Sequence, residues 1–97
     1  ALCMAFYWNE EKNNQLKEER SISFERIVVA IEEDHLIDAI ENPNKVKYKN
    51  QLILIVDIDG YAVCVPCVLQ ENGDYFLKTL FPSRKYTKKY NLGGKNE

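Results

Sequence analysis

The second half of the chain contains three kinds of side chain that could act on a phosphodiester. These are an acid (Asp57), a group of cations (Lys78, Arg84, Lys85, Lys88 and Lys89) and two tyrosines (Tyr86 and Tyr90). Cleavage of RNA through its own 2′-hydroxyl needs little more. A base takes the 2′-OH proton, cations stabilise the charged phosphorane, and an acid protonates the departing 5′ oxygen. Arg84 and Lys78 suit the cationic part. Asp57, Lys85, Tyr86 or Tyr90 suits the proton transfers, and residue type alone does not choose among them. Lys85, Lys88, Lys89 and Tyr86 suit contact with the RNA strand. Asp57 also has a plainer reading, as a strand-end acid that prepares the turn after it.

Other chemistries find less support. The chain has no Walker loop, no G-x-G-x-x-G, no H-E-x-x-H and a single histidine, His35. Cys64-Val65-Pro66-Cys67 has zinc or redox spacing, but it lies within an apparent strand. Residues three apart there point to opposite faces, so two packing thiols are expected. Neither a metal nor a cofactor is called for.

A chain of 97 residues has room for one core, so a single domain over 1–97 is expected. No apolar run approaches the roughly 20 residues of a membrane span, and Ala1-Leu2-Cys3-Met4 lacks the basic flank of a signal peptide, which predicts a cytoplasmic protein. The net charge of −2 hides an asymmetry. Residues 1–42 carry ten acids and four bases, whereas residues 43–97 carry nine bases and five acids. Between 78 and 95 there are six bases and no acid, a stretch able to attract phosphate, or else a solvated tail.

These residues must be held by ordered elements. Asn9 before Glu10-Glu11 caps a first helix over about 10–20, and Ser23 caps a second over about 24–33. In the second, Phe24, Ile27, Val28 and Ile31 recur at helical spacing. His35–Ile40 reads as a short strand and Glu41–Asn50 as a loop with Pro43-Asn44 as its turn. Three stronger strands are expected at about 51–58, 61–70 and 74–82.

Asp59-Gly60 between two apolar runs predicts a two-residue hairpin that pairs Ile58 with Tyr61, Val56 with Val63 and Leu54 with Val65. One hairpin face, from Leu52 to Leu69, is then apolar and belongs under the helices. Gly73 in a three-residue loop puts Leu77, Thr79 and Phe81 on that face, and Phe76, Lys78 and Leu80 on the other. The expected fold is α+β, with two N-terminal helices packed on one face of an antiparallel sheet of about four strands and a short C-terminal helix or tail. The second sheet face, carrying Asp57 and Lys78, is predicted to be largely uncovered and so to bind a partner.

Three segments together resemble the BrnT-type toxins of type II toxin-antitoxin systems, over about residues 6–90. They are Phe6-Tyr7-Trp8-Asn9-Glu10-Glu11-Lys12-Asn13, the stretch Leu16 to Glu25 that leads into the second helix, and Pro82-Ser83-Arg84-Lys85-Tyr86-Thr87-Lys88-Lys89. The resemblance implies a RelE-like fold, metal-independent endoribonuclease activity on an RNA substrate, and a cognate antitoxin with a ribbon-helix-helix DNA-binding domain. It places Arg84 in register with an arginine of the family's last motif. Glu19-Arg20 stands where the family commonly has a basic residue and a histidine, so no histidine role carries over. Pro82-Ser83-Arg84 replaces Ser-Ala-Arg, and Lys88-Lys89-Tyr90 replaces an acid after the threonine. The rival reading is a non-enzymatic module that docks a protein on the uncovered face.

Overall fold

A computed structural model of the chain describes residues 5–42 and 50–92, so the expected Pro43-Asn44 turn and Lys95 lie outside the described residues. In chain order the elements are β1 (Phe6–Trp8), α1 (Glu10–Arg20), α2 (Phe24–Glu32), β2 (Leu36–Glu41), β3 (Gln51–Ile58), β4 (Tyr61–Leu69), β5 (Tyr75–Leu77), β6 (Phe81–Pro82) and α3 (Arg84–Lys89). The architecture is α+β, with strands in the order β1-β5-β4-β3-β2 and β6 pairing with β4.

The sheet is larger than the four antiparallel strands expected, and it is mixed, because β1 runs parallel to β5. Three residues are too few to show a period of two, and the partner strand lies far along the chain. Aromatic contacts fasten β1 in place: Phe6 stacks on Tyr75 at 5.7 Å and Trp8 on Phe24 at 5.6 Å between ring centroids.

Local chemistry sets the helix ends. The Asn9 side chain accepts from Lys12 N at 2.9 Å, and Ser21 closes α1 in the left-handed region at φ 60. Ser23 Oγ accepts from Arg26 N at 3.0 Å to open α2. Asn13, fully buried, joins the two helices. Its Oδ1 accepts from Phe24 N at 2.8 Å, and its Nδ2 donates to Glu25 at 2.9 Å and to Glu10 at 3.3 Å. Much of the opening motif that carries the family resemblance therefore serves packing and capping.

The β3–β4 hairpin has the expected register, Ile58 with Tyr61, Val56 with Val63 and Leu54 with Val65, and its turn places Asp59 at φ 53 and Gly60 at φ 84. Leu54, Val56, Ile58, Val63, Val65 and Cys67 share one core with Leu16, Phe24, Ile27 and Ala30 of the helices. Burying this apolar surface is the main stabilising term.

Two expectations about the sheet need correction. First, the run 74–82 is not one strand. β5 pairs Leu77 with Cys67, but β6 pairs Phe81 with Cys64, one residue out of step with a continuous ladder. The extra residue, a bulge between the two short strands, reverses the alternation. Leu80 thus turns into the helix-side core at 1 % exposure, Phe81 stands on the other face at 39 %, and Thr79 is only half-buried. A Leu buried in place of a Phe follows from that one-residue shift.

Second, the other sheet face is not largely uncovered. Ile55, Ala62 and Cys64 are buried there, with Tyr86, Tyr90 and Leu92 packed over them. Cys64 and Cys67 lie in the cores of opposite faces, and burial pushes the Cys67 thiol up to about 11. Among the described residues no helix is long and apolar enough to cross a membrane.

Candidate functional site

The short helix α3 carries most of the candidate residues, and two polar contacts with Ala62 tie its first turn to the sheet. Ser83 caps it, accepting from Tyr86 N at 3.2 Å. The backbone of Ala62 in β4 then closes on the helix from both of its polar groups. Ala62 O accepts from Ser83 N at 2.9 Å, and Ala62 N donates to Thr87 Oγ1 at 2.8 Å. The Thr87 hydroxyl donates in turn to Ser83 O at 2.7 Å.

Tyr86 and Tyr90, four residues apart, stack at 6.1 Å and cover the second sheet core. The Tyr90 hydroxyl donates to Asp38 Oδ2 at 2.9 Å, which links α3 to the edge strand β2 and raises the phenol above its ordinary range. Tyr86 is thus an anchor before it is an RNA contact. Its ring faces the sheet and also meets two ammonium groups, Lys85 at 5.4 Å and Lys89 at 5.7 Å.

Helical spacing divides the cations between two flanks. Arg84 and Lys88 form one i,i+4 pair beside Thr87, and Lys85 and Lys89 form another beside the tyrosines. All four are exposed, and among the described residues none is ion-paired with a carboxylate. The helix has no acid in its first turn, where its dipole favours one. Two like-charge pairs each cost about 0.2–0.5 kcal/mol in a helix. Lys88 and Lys89 in the last turn suit the dipole, whereas Arg84 and Lys85 at its start do not.

Asp57 lies on the α3 face by strand alternation, opposite Ala62, and so at the end of the sheet where α3 begins. Its Oδ1 accepts from Gly60 N at 2.8 Å, the turn-bracing role that its position suggested. Among the described residues Asp57 forms no ion pair with Arg84.

Lys78 is on the same face and exposed, its N–H donating to Pro66 O at 2.9 Å. It stands four residues along β4 from Ala62, roughly 13 Å at strand spacing. The structure therefore places Asp57, Arg84, Lys85, Tyr86, Lys88 and Lys89 toward one end of this face, with Lys78 anchored further along β4. His35 is an exposed residue whose backbone bonds to Ala30 and Asp57. Among the described residues no three or more of His, Cys, Asp and Glu come together as a metal site would need.

Sequence reasoning missed Asp38 and Thr87. Neither had a visible signal: the facing of β2 depends on a bulge between Leu36 and Asp38, and Thr87 acts through a backbone group of a distant strand. Ser83 could have been read as a cap, since it precedes a short run of helix formers.

No family model, no curated protein and no solved structure matches this chain.

Proposed function

We propose that this chain is the toxin of a type II toxin-antitoxin system, of the BrnT type with a RelE-like fold, and that it cleaves RNA in the cytoplasm without a metal. The observation that carries this reading is α3. Four exposed cations without ion-paired acids share one short helix that is held on the sheet beside Asp57. Arg84 and Lys85 stand at the helix end whose dipole disfavours cations, and departures of this kind gather at functional sites.

Arg84 grips two non-bridging oxygens of the scissile phosphate with its planar fork. Asp57 uses Oδ2 to take the 2′-OH proton, while Oδ1 stays on Gly60 N. The 2′ oxygen bonds to phosphorus as the P–O5′ bond breaks. Lys88, on the Arg84 flank, returns a proton to the 5′ oxygen, leaving a 2′,3′-cyclic phosphate and a 5′-hydroxyl. Lys78 holds a neighbouring phosphate, and Lys85 and Lys89 hold the strand against the Tyr86 and Tyr90 edge.

The cognate antitoxin, with a ribbon-helix-helix domain, covers α3 with acidic side chains and reaches the half-buried apolar rim of Ile53, Pro66, Val68 and Phe76. That rim also supports the rival reading, a non-enzymatic binding module. Incubating the purified chain with end-labelled RNA in excess chelator separates the two. Cyclic-phosphate products support the toxin, and intact RNA with a tight protein partner supports the module.

A further inference from the structure

An open groove of about 670 Å³ lies on the helix side of the sheet, at the turn between α1 and α2. Lys17 and Arg20 come from the last turn of α1, Arg26 from the first turn of α2, and Ile58 from the end of β3. Glu25 and Asp59 are the acids lining it, and both are engaged. Glu25 accepts from Asn13 at 2.9 Å, which holds its carboxyl below the usual range, and Asp59 accepts from Arg26 at 3.4 Å. Lys17 and Arg20 are exposed; Lys17 lies near enough to Glu25 to help lower its carboxyl, but among the described residues neither cation has a carboxylate within 4.0 Å. In the first α2 turn the Phe24 and Arg26 N–H groups are taken by Asn13 and Ser23, and the Glu25 N–H by its own carboxyl, so the cations, not the helix end, define what this groove attracts.

A second feature narrows the ligand. Tyr61 is the register partner of Ile58 across the hairpin, so it stands on the same face beside the groove, and it is 39 % exposed. An exposed ring flanking a basic groove is the arrangement that binds single-stranded nucleic acid, the ring stacking a base and the cations following the backbone. An acidic peptide would use the cations and leave the ring without a role.

The groove and the Arg84 end of α3 also share one end of the sheet. Ala62, which holds α3, is the residue next to Tyr61, and the Asp59-Gly60 turn lies between the two faces. We infer that single-stranded RNA bound at Arg84 continues around the β3–β4 turn, stacks a base on Tyr61 and lays the two following phosphates on Arg20 and Lys17. This deepens the proposed RNA-cleaving function and rests on it. The groove is a length-dependent extension of the site, outside the reacting phosphate.

The test is fluorescence anisotropy with 2′-O-methyl RNA, which lacks the attacking hydroxyl, as a trinucleotide and as a twelve-residue strand. For the double variant Lys17→Ala/Arg20→Ala and for Tyr61→Ala, the twelve-residue strand should bind about tenfold more weakly and the trinucleotide unchanged. The salt slope of the double variant should fall by about 1.4, the loss of two single-strand phosphate contacts. Arg20→Lys should stay near wild type. Equal affinity and slope for wild type and both variants on the long strand would overturn the groove and leave the cleavage reading standing. Wild-type protein that binds neither strand would overturn both.

Discussion

The Tyr90 hydroxyl lies 2.9 Å from Asp38 Oδ2 and joins the last helix to the edge strand β2 across 52 positions. Tyr90 is six residues from Arg84, roughly 9 Å along a helix, so it fixes the far end of α3 and stays clear of the phosphate proposed to sit on Arg84.

Tyr90→Phe should keep the ring stack on Tyr86 and lose only that link. Cleavage is expected to fall several-fold, with a smaller effect on thermal stability, and α3 amides should exchange faster in hydrogen-exchange measurements. The pH dependence has a definite sign. The hydrogen bond raises the phenol above its unfolded value, so the stabilisation is complete below the ordinary tyrosine range and is lost as pH rises through the folded-state value. Wild type should lose that increment at strongly alkaline pH, and Tyr90→Phe should not. Identical alkaline melting curves would count against the link.

Asn13 is the buried joint of α1 and α2, and Asn13→Ala leaves Phe24 N without its acceptor. An orphaned buried donor costs about 1–3 kcal/mol, readable as a lowered denaturant midpoint. The same substitution frees Glu25, whose carboxyl is held low first by the Asn13 hydrogen bond. A depressed carboxyl stabilises the fold above its unfolded value and ceases to as pH falls through the folded one. Wild type should therefore lose stability more steeply than Asn13→Ala as pH falls below the ordinary carboxylate range. Parallel acid profiles would show that Glu25 contributes nothing.

The parts of the fold visible in the sequence were those set by local rules. The Asp59-Gly60 turn needs positive φ, the apolar alternation of Leu52 to Leu69 matches a two-residue period, and Asn9 and Ser23 are capping residues, so the hairpin register and both helix starts could be read directly. The parts that stayed hidden depend on long-range pairing. β1 is three residues long and pairs with a strand far away in the chain, and the bulge before Phe81 reverses Leu80 and Phe81 with no residue to mark it. The same holds for the site. Arg84 and its lysines stand out by composition, whereas the placement of α3 depends on Thr87, Ala62 and Asp38, which carry no pattern.

Asp57 has a structural role and a proposed chemical one, and a single substitution separates them. In Asp57→Asn the amide oxygen can still accept from Gly60 N, so the turn and the melting temperature should be retained. The proton acceptor is gone, and cleavage should fall by about two to four orders of magnitude, the usual range for a general base. The acidic limb of the pH–rate profile should disappear with it. A variant that melts like wild type and cleaves like wild type would leave Asp57 as a turn brace alone.

Arg84 tests the central claim most directly. The measurement is the single-turnover rate of cleavage of an end-labelled RNA in excess chelator, wild type against Arg84→Ala and Arg84→Lys, with melting temperatures recorded alongside. Arg84 is exposed, so both variants should fold as wild type does. Arg84→Ala should lose roughly a hundredfold or more in rate, the scale of removing one donor to a developing oxyanion, and Arg84→Lys should recover part of it. Cleavage by Arg84→Ala at the wild-type rate would contradict the assignment of Arg84, and a wild-type chain that leaves the RNA intact would contradict the enzyme itself.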